Sequence, residues 1–401
     1  MRKDNWKYNV TKFLLGQSIS ILGSSLVQFA IIWYIVRVTM SGVMVTISTF
    51  ASFLPQIIIS LFAGVWVDRY NRKFLVIFSD MLIALVTIIL AIIMRNGYEG
   101  IALIIIVSTI RSAGSGVQSP TVNALIPQLV PSAELMRVNS IYSTIGSIIS
   151  FIAPAVGGLI LSYGPISNIM FIDVTTAAIG ILFTISISFH AFDYQKTETG
   201  KMFAEIKNGL QYLKNDHFLV NLFLGYMAYT VLIVPAGYLN VLMVTRVFGG
   251  SYLTLAVNEM TFFAGTTIGG IILSFWRGPK NLSKILLLAW SAFGISTILL
   301  AIAVNFYVYL FIMLLVGLSV PFGGMPITVI IQERVASEMQ GRVFSILQLV
   351  YSACMPLGMT IFGTLSDIVS IQSLMIICGI GLVILTILML VTKALVPDRV
   401  N

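Results

Sequence analysis

The sequence is dominated by apolar runs that are long enough to cross a lipid bilayer. A spanning helix needs about 20 predominantly apolar residues, and only 9% of the 401 residues are charged, against about 25% in soluble domains. The chain is therefore predicted to be an all-α integral membrane protein with twelve spans. The runs lie near residues 13–36, 43–67, 74–94, 101–126, 138–163, 166–189, 218–241, 253–276, 284–304, 306–331, 343–369 and 371–392.

The distribution of basic residues predicts the orientation of these spans. With the N-terminus inside, most of the 23 Lys and Arg residues fall in cytoplasmic segments, as the positive-inside rule requires. Both termini are then cytoplasmic. A polar stretch at 191–216 separates residues 1–190 from 217–401, and we interpret it as a cytoplasmic linker. Its apolar residues at helical spacing predict a helix lying on the inner leaflet: Phe203, Ile206, Leu210 and Leu213.

The two halves contain a similar segment at corresponding positions. Residues 120–141 and 326–346 share Pro, Glu, Arg, Val, Ser and Ile in the same order, with small length shifts. A parallel repeat of two six-helix bundles would produce this pattern. Chance similarity between two apolar segments is the alternative.

A charged turn between the second and third spans is the most specific motif. It has the form G-x-x-x-D-R-x-x-R-K, which is Gly64, Asp68, Arg69, Arg72 and Lys73 in this chain. An ordinary positive-inside loop predicts the basic residues but not the Gly and Asp at these offsets. The motif resembles the loop between helices 2 and 3 of the major facilitator superfamily, although Trp66 and Asn71 replace the more common Leu and Gly.

The resemblance implies a fold and a conformational role. Members have two related six-helix bundles with a substrate site at the bundle interface. In this arrangement the carboxylate of Asp68 would face the positive N-terminus of the helix that begins near Arg342. We expect that contact only while the cytoplasmic side is closed, so the loop is predicted to act as a conformational latch. Its basic residues are predicted to anchor it to anionic lipid.

A second motif lies in the fifth span. Gly146, Pro154, Gly157 and Gly158 resemble the antiporter motif of drug exporters, in which small residues allow close helix packing. Ala153 stands where the motif usually has Gly. The pattern favours export over import. Across nearly its whole length the chain is similar to the macrolide efflux branch of the 12-span drug:proton antiporters, and related branches export siderophores or move lysophospholipids.

Ionisable residues within spans are costly and are usually paired or functional. Arg111 lies near mid-membrane and resembles the span-four arginine associated with proton coupling; a bridge between helices of the N-terminal bundle is the structural alternative. Asp173 and Glu259 are the candidates for proton carrier. A structural hydrogen bond is the alternative for Asp173 and the preferred interpretation of Asp80. Asp367, at the outer end of span eleven, is interpreted as hydrated.

The family architecture also implies which spans line the substrate cavity, namely the first, fourth, seventh and tenth. Their candidate cavity residues provide aromatic and thioether surface with few polar groups, which suits bulky amphiphiles. Ordinary helix packing is the alternative for each of them. The candidates are Gln28, Gln118, Tyr226, Tyr229, Phe322 and Met325.

Several function classes are disfavoured by what the sequence lacks. There is no G-x-x-x-x-G-K-[ST] loop for nucleotide phosphates, and a separate ATPase partner is not implied. His190 and His217 have no catalytic partners at recognisable spacing, and Cys354 and Cys378 cannot form a metal cluster. The net charge of +8 forms no basic patch for nucleic acid. We expect neither an enzyme nor a cofactor.

The sequence therefore predicts a secondary transporter in the cytoplasmic membrane of a bacterium. Its expected function is the export of amphipathic drugs of the macrolide type in exchange for protons, by alternating access. Its expected partners are the small substrate, protons and membrane lipids. The same fold exporting an endogenous amphiphile, such as a siderophore or lysophospholipid, is the first alternative, and a non-transporting membrane sensor or scaffold is the second.

Overall fold

The computed structural model describes residues 6–98, 100–187, 202–275, 281–392 and 394–395. Within these ranges the chain is almost entirely helical, as predicted, and a single 3-10 turn lies at Ser132–Glu134. The first six α-helices are α1 (Trp6–Thr39), α2 (Gly42–Arg69), α3 (Arg72–Arg95), α4 (Ile101–Leu129), α5 (Leu135–Tyr163) and α6 (Ile166–Ile185). The others are α7 (Met202–Lys214), α8 (His217–Leu232), α9 (Val234–Gly237), α10 (Asn240–Phe248), α11 (Tyr252–Phe275), α12 (Leu282–Ile302), α13 (Phe306–Arg334), α14 (Ser337–Leu365) and α15 (Ile371–Val391).

Eleven of the described helices are long and apolar enough to span a membrane, and the seventh predicted span is broken instead. It consists of α8, α9 and α10. Pro235, near the start of α9, has no backbone N–H and cannot continue the hydrogen-bond ladder of α8. At the second break, between α9 and α10, the Asn240 side chain donates to the carbonyls of Ala236 and Gly237, each at 3.2 Å. These contacts satisfy backbone groups that lipid could not.

The chain divides into two compact units. The first unit comprises residues 1–39, 47–198 and 251–257, and the second comprises 40–46, 199–250 and 258–401. The first turn of α2 thus belongs to the second unit and the first turn of α11 to the first. The predicted boundary at residue 190 and the first part of the predicted linker lie outside the described residues. The rest of that linker contains α7.

The two units use the same helix pairings, which supports the internal repeat. In the first unit α3 packs on α4 and α6, and in the second α12 packs on α13 and α15. Glycines allow a further close approach in each. A Cβ on Gly116 of α4 would lie 2.7 Å from the Gln56 carbonyl oxygen of α2, and one on Gly317 of α13 would lie 2.2 Å from that of Phe262 of α11. Only glycine permits such backbone contact.

Candidate functional site

The first unit contains a partly open cavity of about 280 Å³ with many polar lining residues. Its wall is formed by α1, α2 and α4, which direct hydroxyl, amide and guanidinium groups into it. Gln28, one of the candidate substrate-cavity residues from the sequence, is among its lining residues. The lining residues are Ser24, Gln28, Ile31, Ser52, Phe53, Gln56, Ser108, Arg111, Ser112 and Ser115. Such a surface can bind polar groups of a ligand while the two apolar side chains contact its hydrocarbon.

A buried ion pair forms part of this wall. Nη1 of Arg111 lies 2.5 Å from Oδ2 of Asp173 and also donates to the hydroxyl of Thr87. Ser24, another cavity residue, donates to Oδ1 of Asp173 at 3.2 Å. The Asp173 side chain is fully buried, so removing either charge would leave the other uncompensated. The structure therefore brings two of the three predicted coupling residues together, and Arg111 links α4 to α3 and α6.

A second polar contact between α3 and α4 lies two turns away from the contact of Arg111 with Thr87. Oδ1 of Asp80 accepts hydrogen bonds from the Gln118 amide and, at 3.4 Å, from the Ser20 hydroxyl. The structural hydrogen bond predicted for Asp80 is present. Gln118, which the sequence analysis placed among the cavity candidates, is outside the cavity lining. Its spacing of seven residues from Arg111 was the available signal that both lie on one face of α4.

The remaining predicted coupling residue lies in the second unit. Glu259, on α11, is half-buried and forms no salt bridge with a residue in the described ranges. It acts electrostatically on Tyr309, whose side chain is fully buried. Glu259 therefore belongs to the second unit, whereas Arg111 and Asp173 belong to the first.

The interior of the second unit is aromatic. Tyr229 stacks on Trp290 with ring centroids 4.6 Å apart, and Tyr226 stacks on Tyr229 at 6.5 Å. The hydroxyls of Tyr238 and Tyr351 are hydrogen-bonded to each other. The two predicted cavity tyrosines therefore lie together. Two further cavity candidates lie on α13 and differ in exposure: Phe322 is half-buried and Met325 is 57% exposed.

The charged turn binds helix ends within the first unit. Arg72 donates to the carbonyls of Val67 and Ala124, at 3.2 and 2.9 Å, and Nζ of Lys73 donates to those of Ile185 and Ile187, both at 2.8 Å. Arg72 and Lys73 therefore satisfy backbone carbonyls. The sequence alone predicts only that these residues bind anionic lipid.

The other residues of the predicted latch have separate surroundings. Arg69 is exposed, and Asp68 forms an ion pair with Arg72 at 3.7 Å. No atom of the described residues comes within 4 Å of a Cβ built on Gly64, so close helix approach does not explain this glycine here. In the second unit Arg342 lies against Gly209 of α7 and contacts the sulfur of Met339 at 3.1 Å.

The antiporter-like motif lies on α5, and only part of it requires small residues. A Cβ on Gly158 would lie 3.0 Å from the Tyr252 carbonyl oxygen, so this position needs glycine for close packing. Gly157 would make ordinary contact with Leu26. Pro154 is buried within the helix, and Gly146 has open space around its Cβ position.

Asp367 is not simply hydrated, which corrects the sequence-based interpretation. Its carboxylate accepts hydrogen bonds from the backbone N–H groups of Gly42 and Val43, at 2.6 and 3.1 Å, and from the Ser41 hydroxyl at 2.6 Å. Arg246 pairs with it at 2.9 Å. Burial alone would raise the pKa of Asp367, but the bonds from Ser41, Gly42, Val43 and Arg246 outweigh burial and lower it. The carboxylate therefore caps the first turn of α2 in its charged form.

A second ion pair lies at helix ends of the same unit. Asp216 caps α8 through the N–H groups of Phe218 and Leu219, and Nε of Arg334 lies 2.6 Å from its Oδ2. Burial acts to raise the pKa of Asp216, yet the hydrogen bonds from Arg334 and the two backbone groups lower it overall. This pair connects the end of α13 to the start of α8.

Together these features define a multi-pass membrane protein of two related helical units, one of which contains a buried polar site. The sequence matches the Major Facilitator Superfamily over residues 13–359, and the chain belongs to that family. It is therefore a transporter of this superfamily, and the resemblance stated from the sequence is confirmed.

Similar proteins are consistent with this membership. The chain is 28% identical to Macrolide efflux protein A of Streptococcus pyogenes over 381 residues, covering 94% of each chain. It is 25% identical over 390 residues to the Putative bacilysin exporter BacE of Bacillus subtilis, covering 95% of this chain and 93% of that protein. Among solved structures, the nucleoside transporter NupG has a TM-score of 0.70 at 13% identity, covering 94% of this chain and 99% of NupG; that likeness concerns the fold alone.

Proposed function

We propose that this transporter exports amphipathic drugs of the macrolide type across the bacterial cytoplasmic membrane in exchange for protons, by alternating access. Similarity to Macrolide efflux protein A over 94% of both chains supports the substrate class. Apolar membrane helices and a polar cavity within one unit suit a substrate with both kinds of surface.

The observation that carries the proposal is the position of the Arg111–Asp173 pair. Arg111 lines the cavity and is bonded to a carboxylate that is fully buried. A ligand in the cavity would change the local charge and hydration of this pair, and protonation of Asp173 would remove its attraction for Arg111. Substrate binding and proton binding would then affect each other reciprocally. Glu259 of the second unit remains a further candidate for coupling.

The aromatic residues of the second unit are proposed to contact the apolar part of the substrate. They comprise the stacked Tyr226 and Tyr229 and Phe322 of α13. The thioether of Met325, also on α13, is proposed to contact the same part of the substrate. Aromatic faces provide large apolar area with little rotameric freedom to lose, and methionine adapts to irregular shapes.

The test is transport in a bacterial host that lacks its own drug pumps. We expect the chain to lower susceptibility to macrolides, and everted vesicles to accumulate the drug when a proton gradient is applied. Asp173→Asn and Glu259→Gln are expected to reveal coupling: at least one should abolish uphill transport while downhill exchange continues. If Arg111→Ala and both acid variants still concentrate drug, the coupling assignment is wrong.

The same experiment separates the alternatives. Unchanged susceptibility to every drug, together with gradient-driven export of a siderophore or lysophospholipid, would support an endogenous amphiphile as substrate. No transport of any amphiphile, with a phenotype that persists in Arg111→Ala, would support a sensor or scaffold.

A further inference from the structure

Polar side chains connect the antiparallel helices α3 and α4 at two levels. Thr87 contacts Arg111, and seven residues away on each helix Asp80 contacts Gln118. Seven residues are about two turns, or roughly 10 Å. Helix α1 provides a serine to each acid, because Ser24 donates to Asp173 and Ser20 to Asp80. The first unit thus contains two buried acids that both accept hydrogen bonds from α1 and α4.

The two acids have opposite surroundings. Asp173 has a guanidinium partner at 2.5 Å, which compensates the charge of its buried carboxylate. Asp80 is only 2% exposed, and no cation in the described residues forms a salt bridge with it. Its Oδ1 accepts the hydrogen bonds from Gln118 and Ser20, whereas its Oδ2 is buried without a hydrogen-bond partner in the part of the chain that the structure describes.

Within the described chain, Gln17 is a second buried residue with unsatisfied polar atoms near Asp80. It lies on α1 close enough to Asp80 to influence it as a donor, although neither of its side-chain polar atoms makes a hydrogen bond of standard geometry within the described residues. Gln17 is 1% exposed. A protonated Oδ2 of Asp80 is a donor and the amide oxygen of Gln17 an acceptor, so a hydrogen bond between them would satisfy an oxygen on each residue.

Burial of a lone carboxylate costs far more than burial of a neutral carboxyl group, so such a group neutralises by binding a proton. We propose that Asp80 is the group that holds the exchanged proton in this conformation, with the Arg111–Asp173 pair as its charged neighbour. This inference rests on the proposed proton-coupled export. It places the exchanged proton on α3, and not on Asp173 or Glu259. Loss of uphill transport in Asp173→Asn would then result from the broken pair with Arg111.

The proton step is simple in chemical terms. Asp80 takes a proton from the outer side, forming an O–H bond on Oδ2, and later releases it to water on the inner side, leaving the electron pair on that oxygen. The ionisable groups that act on Asp80 from the packed helices are Tyr142 of α5 and Asp173 of α6. Arg111 neutralises the charge of Asp173. The negative charge of Asp173 therefore does not oppose ionisation of Asp80.

Infrared difference spectroscopy tests the protonation state without requiring a known substrate. The purified protein is titrated from neutral to alkaline pH, and the carbonyl-stretch band of protonated carboxyl groups is followed. We expect this band in the wild type and its loss in Asp80→Asn, with retention in Asp173→Asn and Glu259→Gln. Retention in Asp80→Asn, or loss only in Glu259→Gln, would overturn the assignment.

Transport measurements then connect the proton to export. Asn has the shape of a neutral Asp and can keep the Gln118 contact, so Asp80→Asn is expected to fold, bind drug and exchange it downhill, but to lose uphill export. Ser79→Ala is the matched control, because its hydroxyl bonds only to the Leu75 carbonyl of its own helix among the contacts described; it should export normally. Gradient-driven export by Asp80→Asn refutes the inference.

These outcomes are distinguishable from failure of the proposed function. If the wild type moves no drug yet its carboxyl band depends on Asp80, the proposed function fails and only the protonation of Asp80 holds, not its role in exchange. If the wild type exports drug with protons and Asp80→Asn does the same, only the assignment fails.

Discussion

The interiors of the two units have the same helix pairings but opposite chemistry. In the first unit α3 and α4 bury a charged pair and a second acid, whereas in the second unit α12 and α13 bury aromatic rings. Close to the repeated proline of the first unit, Gln118 lies two residues before Pro120 and contacts Asp80. Close to that of the second unit, Gly323 lies three residues before Pro326 and packs on Trp290. The fold therefore fixes which helices meet and leaves their contacting side chains free to diverge.

The ion pairs show the same contrast. The first unit has its strongest pair in the interior, at Arg111 and Asp173, where the carboxylate is fully buried. The second unit has its pairs at helix ends, at Asp216–Arg334 and Asp367–Arg246, where side chains are about a quarter exposed. Interior pairs respond to changes of charge, and end pairs hold helix termini in place. We infer that coupling is concentrated in the first unit.

The largest expected effect comes from breaking the interior pair. Asp173→Asn leaves Arg111 buried and unpaired, which should lower the free energy of unfolding by about 3–5 kcal/mol. Thermal unfolding in detergent measures this change. Replacing both residues with Leu should largely restore stability without restoring uphill export. Wild-type stability in Asp173→Asn would contradict the view that this pair is charged.

A smaller effect is expected from the aromatic interior. Tyr229→Leu removes the stacking on Trp290 but keeps apolar volume, so the free energy of unfolding should fall by about 0.5–1.5 kcal/mol. If aromatic faces bind the apolar part of the substrate, the rank order of exported drugs should change while proton dependence does not. Leu388→Ala, at an exposed position of α15, is the control. An altered proton dependence would remove the proposed division of roles.

Sequence reasoning recovered the fold because span length and hydropathy are physical requirements of the bilayer. It missed the break in the seventh span, since proline alone is ambiguous: Pro55 and Pro154 lie inside continuous helices, whereas Pro235 follows the end of one. Neighbouring groups decide whether a proline interrupts a membrane helix. The Asn240 side chain, which supports the second break between α9 and α10, is informative only once its acceptors are known.

The site was only partly predictable for a related reason. Arg111 and Asp173 were identifiable because charges in apolar runs are rare. Their pairing, and the capping of Gly42 by Asp367, join residues distant in sequence, and no local pattern encodes such contacts. Ser24 could not have been selected from the many serines of the spans. Asp80 was found, but its lack of a cationic partner in the described chain is a property of the packed helices.

The helix-end pairs of the second unit should make stability depend on acid pH. The pKa of Asp367 is lowered from its ordinary value of 3.8, so its stabilisation is fully present above that value and is lost as the pH falls through the lower folded pKa. Asp367→Asn should lower the free energy of unfolding by about 1–2 kcal/mol at neutral pH. The difference from wild type should shrink in acid, as shown by unfolding at a series of pH values. A constant difference would contradict the charged cap.

The smallest effect on stability is expected at the charged turn, where Asp68 and Arg72 form an i,i+4 pair at 3.7 Å with side chains 36% and 19% exposed. Such pairs contribute about 0.2–1 kcal/mol, so Asp68→Asn should unfold almost as the wild type does. The latch hypothesis nevertheless predicts slower export and a larger inward-open population, with substrate binding retained. Glu134→Gln is the matched control, because Glu134 forms an exposed i,i+3 pair with Arg137 at the same distance of 3.7 Å.

The conformational part of this prediction can be measured with spin labels. A spin label in the charged turn should not replace Asn71. The Asn71 side chain caps α3 through the N–H groups of Lys73 and Phe74, and a label would remove that cap. Tyr70 and Glu338 are both exposed and can carry the labels. Asp68→Asn is expected to shift their distance distribution and Glu134→Gln to leave it unchanged. Identical distributions in the wild type and Asp68→Asn would eliminate the latch, and the turn would then serve only to bind helix ends through Arg72 and Lys73.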